Sequence, residues 1–113
     1  MHVQFHILGI NDDQQLRIDL EHELQSLNAL MPIAHAQISL ERQHETTPPF
    51  QAVVLLAVSG PDIHAAARDH TWPAAWHKVI ARLREQLEQR QSRKAARKNG
   101  LTRLHRTAMR HAS

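Results

Sequence analysis

Between Trp72 and Leu87, apolar residues recur at steps of three and four: Trp72, Trp76, Val79, Ile80, Leu83 and Leu87. That spacing puts them on one side of an α-helix. Such a stripe must be buried against another layer, so the segment cannot fold alone. Asp69 or Thr71 would stand near the start of the helix, with Pro73 tolerated in its first turn. Lys78, Arg82, Arg84, Arg90, Arg93, Lys94, Arg97 and Lys98 take other sides and continue past the stripe. From Lys78 onward there are eleven Lys and Arg against two Glu, whereas residues 1–77 hold three Arg against nine Asp and Glu. Two regions of opposite sign are therefore joined in one small chain.

The partner layer is legible upstream. Val3, Phe5 and Ile7 alternate with His2, Gln4 and His6, the pattern of a half-buried strand over His2 to Leu8. Gly9 breaks it. Asn11 is suited to cap a helix, with Gln14 three residues on, and Asp12 and Asp13 suit the positive end of its dipole. Leu16, Leu20, Leu24, Leu27 and Met31 mark the apolar stripe of that helix, and Pro32 stops it. Ala34, Ala36, Ile38 and Leu40 alternate with His35, Gln37, Ser39 and Glu41, giving a second strand. Gln43 to Pro49 is polar, carries two prolines and reads as a loop. Phe50 to Ser59 is the most apolar run and should be a central strand, with Val53 and Leu55 on its outer face. Ser59-Gly60-Pro61-Asp62 has turn chemistry. Ile63, Ala65 and Ala67 alternate with His64, Ala66 and Arg68 as a fourth strand. The expected order is β-α-β-β-β-α: an α+β fold, with both helices on one face of a four-stranded sheet. Past Gln91 the apolar repeat fades, and Asn99-Gly100 should end the helix at the latest. Residues 1–95 are expected to form one domain and residues 96–113 a mobile basic tail.

At 113 residues the chain suits one domain and not two ordinary ones. Without cysteine it has no disulfide and no thiolate metal site, which fits a reducing cytoplasm. No apolar run reaches the roughly 18 residues of a membrane span, and the N-terminus does not read as a signal peptide. Ten histidines invite a metal reading. His2, His6, His35 and His64 fall on the outer side of the sheet, but they lack the tight spacing of a zinc site and read as scattered surface residues. Trp72 and Trp76 are in phase with the leucines and read as core rather than as base-stacking platforms. Three glycines are too few for a phosphate loop, and no serine has a nucleophile-elbow context, so no enzyme, metal or cofactor is expected.

The stretch Ala67-Arg68-Asp69-His70-Thr71-Trp72-Pro73-Ala74-Ala75-Trp76, followed by Lys78-Val79-Ile80-Ala81-Arg82-Leu83-Arg84-Glu85-Gln86-Leu87, resembles the short bacterial ribosome-hibernation factors. These are the ribosome-associated translation inhibitors also called sigma-54 modulation proteins. Arg82-Leu83 and Gln86-Leu87 keep the family's frame, and Arg84-Glu85 reverses its usual order of acid and base. The likeness spans roughly residues 1–95. It implies a domain similar to double-stranded-RNA-binding folds. It also implies docking in the decoding region of the small ribosomal subunit, where the domain would block messenger and transfer RNA. The first helix departs from the pattern: it carries Asp13, Asp19, Glu21 and Glu23 against Arg17, where the family is usually basic. No binding role is carried onto it. The further C-terminal dimerisation domain of the long members is not expected here.

The eight basic residues from Lys78 to Lys98 are thus the candidate contacts to ribosomal RNA backbone. Each phosphate neutralised by Lys or Arg releases counterions, so binding of this kind weakens with salt. The competing reading is a protein-interaction module on the same fold. It would bind an acidic partner, or associate weakly with itself through Val53 and Leu55 on the open sheet face.

Overall fold

The computed structural model describes residues 1–112, with side chains as far as Arg93. The elements follow the expected order: β1 (His2–Leu8), α1 (Gln14–Leu30), β2 (Ile33–Arg42), β3 (Phe50–Val58), β4 (Ile63–Asp69) and α2 (Trp72–Ala112). The fold is α+β, with one four-stranded sheet in the order β1-β2-β3-β4. β1 and β2 are parallel because α1 carries the chain back between them. The two hairpins that follow are antiparallel.

Both helices lie on one face. Leu16, Leu20, Leu24, Leu27 and Met31 from α1 meet Trp76, Val79, Ile80, Leu83 and Leu87 from α2 in a single core. Ala36, Ile38, Leu40, Ala52, Val54 and Leu56 form its floor. No polar residue is buried with them among the described residues. Ser26 and Glu23 of α1 face Arg84 and His77 of α2, so the helices run side by side in the same direction. β2 and β3 are both interior strands of the sheet, but only β3 is apolar on its outer side as well, at Val53 and Leu55.

Three expectations need correction. The N-cap of α1 is Asp13, not Asn11: its carboxylate accepts from the Leu16 N–H at 2.7 Å. Asp12 instead pairs with Arg17 at 2.7 Å, and Gly9 takes the left-handed conformation at φ +71°. A Cβ at Gly9 would stand 3.0 Å from the Arg42 Cβ, so the close turn there requires glycine. In β2, Ala34 is exposed and Ile33 takes the core position, because the register shifts between Ile33 and His35. Alternation resumes inward at Ala36. Finally, α2 does not end at Asn99-Gly100 but runs to Ala112. A helical glycine costs only about 1 kcal/mol, no proline follows it, and Ala, Lys, Arg and Leu around it are good helix formers. The backbone of the tail expected over 96–113 is helical as far as Ala112, while the side chains of Lys94, Arg97, Lys98 and the residues after them lie outside the described residues.

Candidate nucleic-acid interface

α2 is set by its first turn. The Thr71 hydroxyl accepts from the Ala74 N–H at 3.3 Å, and its carbonyl accepts from the Ala75 N–H at 3.2 Å. Pro73 occupies a position where a missing N–H costs nothing. With the helix phase fixed there, Trp76 is buried and Trp72 packs half-buried against the core. The Trp76 ring is therefore closed to base stacking. The same phase sends the cations outward to two different flanks.

One flank runs along β4. The Lys78 Nζ donates to the Arg68 carbonyl at 3.4 Å, Arg82 donates to the Ala66 carbonyl, and the Gln86 amide donates to the His64 carbonyl at 3.0 Å. Arg90 reaches the turn beyond and donates to the Ser59 and Pro61 carbonyls. These four residues are spaced by four along α2 and so fall in one row. The carbonyls they meet alternate along β4, so they point away from β3. The row covers the free edge of the sheet. Arg93, exposed, lies on the same flank by its spacing from Gln86 and Arg90.

The carbonyls that Arg82 and Arg90 meet carry no formal charge and do not neutralise them, and Arg82 is exposed to solvent. Lys78 differs, because its Nζ also stands 2.9 Å from the Asp69 carboxylate. That contact holds the Asp69 carboxyl below the usual carboxylate range, helped by the His70 N–H. The pair ties the end of β4 to the second turn of α2.

The other flank faces α1. Arg84 donates to the Ser26 hydroxyl at 3.1 Å, and His77 stands 3.7 Å from the Glu23 carboxylate. The carboxylate-rich helix and the main cation row therefore lie on opposite sides of α2. Of the sequence candidates, Lys78, Arg82, Arg90 and Arg93 come together, while Arg84 is set apart. Gln86 belongs to the row, and a search for charge passes over it. Its signal is its position, four residues from both Arg82 and Arg90.

The opposite face of the sheet is open. Val53 and Leu55 are half-buried there, in a shallow depression framed by Gln4, His6, Gln37 and Ser39. His2 and His35 stack at 5.1 Å on the same face. Among the described residues no group of three or more His, Asp or Glu could hold a metal. No described helix is long and apolar enough to cross a membrane.

Several solved structures share this architecture, two of them as follows. The N-terminal domain of Thermus thermophilus Protein Y matches with a TM-score of 0.68 at 18% identity, over 79% of this chain and 98% of that domain. This is the Protein Y N-terminal fold. A ribosomal subunit interface protein from Coxiella burnetii matches equally well, with a TM-score of 0.67 at 19% identity, over 81% of this chain and 99% of that one. The Protein Y fold is thus present nearly whole, and this chain adds about a fifth of its own length to it. No family model matches the sequence. No curated relative matches it either.

Proposed function

We propose that this chain is a non-enzymatic, ribosome-associated protein of the cytoplasm. It binds small-subunit ribosomal RNA near the decoding region and holds the subunit idle, inhibiting translation. The observation that carries this reading is the cation row of α2, standing clear of the carboxylates of α1. It occurs on a fold shared with a ribosomal subunit interface protein. Lys78, Arg82, Arg90 and Arg93 would face phosphates together, and Lys94, Arg97 and Lys98 would extend the same charge along α2. Arg84 would meet RNA only where it passes over the α1 side. Sedimentation with ribosomal subunits through sucrose gradients at low and high salt tests the proposal. Co-sedimentation with the small subunit that is lost as salt rises is expected. A protein that stays at the top of the gradient at low salt sinks the proposal.

A second reading has one observation in its favour. Val53 and Leu55 form an apolar floor on the open sheet face. On this reading the chain is a protein-interaction module, and its partners in a lysate pull-down survive nuclease treatment.

A further inference from the structure

The two long edges of the sheet are treated differently. Along β4 the outward carbonyls of His64, Ala66 and Arg68 are taken up by α2. β1 has a single neighbour, β2, and its other side carries no described strand. Natural edge strands are usually guarded by a lysine, a proline, a bulge or a covering helix. His2–Leu8 contains no proline, no lysine or arginine and no carboxylate. Its register with β2 is unbroken from His2 to Leu8. Val3, Phe5 and Ile7 point to the core side, pack against the core, and are still only half-buried. The large hydrophobic residues left exposed among the described ones are Met1, Leu8 and Ile18. Met1 and Leu8 lie at the two ends of β1. Ile18 follows Arg17, whose guanidinium stands 5.2 Å over the Phe5 ring.

The geometry points to β1 as a self-pairing edge: two copies of this chain join antiparallel, β1 against β1, and the sheet continues through both. A second copy fits for a reason of symmetry. An isologous antiparallel pair keeps each side chain on its own face only when the two-fold axis passes through a residue of the strand. Centring it on Phe5 uses the whole of β1. Phe5 then meets Phe5, and Val3 meets Ile7, on the core side. Gln4 meets His6, and His2 meets Leu8, on the open side. No two β1 residues of like charge face each other, the Arg17 that flanks Phe5 on each copy is paired with its own Asp12, and three half-buried apolar residues on each copy gain cross-strand neighbours. One strand pair is a small interface, below the roughly 1,200 Å² of standard stable complexes, so the association is weak and concentration-dependent. Because α2 packs on β4 and β3, at the far side of each sheet, the dimer leaves the cation row uncovered. RNA binding and self-association therefore succeed or fail separately.

Sedimentation equilibrium of the full chain from about 10 μM to about 1 mM tests the pairing. The average mass should climb from that of one chain towards that of two. Gln4 and His6 are exposed, so both can be changed without entering the core. The double variants Q4E/H6E and Q4K/H6K each set like charges opposite one another across the axis. Each should stay at the mass of one chain, with the parent's unfolding midpoint. An equimolar mixture of the two should associate again, because opposite charges then meet. L55Q alters the open face alone and should associate as the parent does. A single-chain mass at every concentration overturns the proposal. So does undiminished association of the charged variants alone, or loss of association in L55Q, which assigns the contact to the sheet face instead.

Discussion

Trp76 carries the largest fully buried side chain of the core, yet its indole N–H has no hydrogen-bond partner among the described residues. Two opposed terms therefore act at one position. Burying the ring stabilises the domain, and leaving a buried donor unpaired costs about 1–3 kcal/mol. Trp76→Ala should lower stability by roughly 3–5 kcal/mol in urea titrations, through poorer packing and a cavity. Trp76→Phe should cost clearly less, because it removes the unpaired donor along with part of the ring. A loss of several kcal/mol in Trp76→Phe, beyond what the smaller ring accounts for, would mean that the donor is satisfied in solution. Asp69 offers a second residue-scale test. Its carboxyl is held below the usual range by Lys78 and then by the His70 N–H. A depressed folded pKa contributes stability that is complete above the unfolded value of about 3.9 and disappears as pH falls through the folded value. Asp69→Asn should therefore be less stable than the parent at neutral pH, with the gap closing in acid below that unfolded value. Urea midpoints measured across the acid range check the sign.

At the scale of the element, α2 does two jobs with one flank. Arg82 supplies charge and also satisfies the Ala66 carbonyl on the sheet edge, whereas Arg93 is exposed beyond the last turn that meets the sheet. Charge reversal should separate these roles. Arg93→Glu should weaken association with the small subunit and leave the unfolding midpoint unchanged. Arg82→Glu should weaken association too, but it should also lower the midpoint and promote aggregation by baring a strand edge. Light scattering and thermal melts on the two variants distinguish the cases. The sequence showed the charges on this flank plainly, and periodicity placed them on a helix. It could not show their partners, because backbone carbonyls leave no signature in side-chain chemistry. The same limit hid the cap of α1: Asn11, Asp12 and Asp13 all have capping chemistry, and only the turn at Gly9 decides among them.

At the scale of the whole molecule, Leu87 is the last core residue among the described side chains, and solved domains matched over nearly their full length account for about four-fifths of this chain. A chain shortened to residues 1–95 should keep the parent's unfolding midpoint. It loses five Lys and Arg and no Asp or Glu. If those cations reach ribosomal RNA, its association should weaken and its log–log salt slope should flatten by roughly 0.7–0.9 for each phosphate that is no longer neutralised. An unchanged slope would assign all the binding to the flank up to Ala95. Element order, both apolar stripes and the greasy outer residues of β3 were readable from periods of two and three to four. Strand neighbours were not, because alternation reports which face a residue takes and is silent about which strand lies beside it. The bare side of β1 and the guarded side of β4 emerge only when that order is known.

The row that shields β4 also links two properties that selection would otherwise tune apart. On the proposed function, a substitution at Arg82 or Arg90 that loosens the grip on phosphate also uncovers backbone that other chains can recruit. Variants with weaker binding would then be purged for their insolubility before their affinity is tested, and Gln86, which holds no charge, would be constrained as tightly as its cationic neighbours.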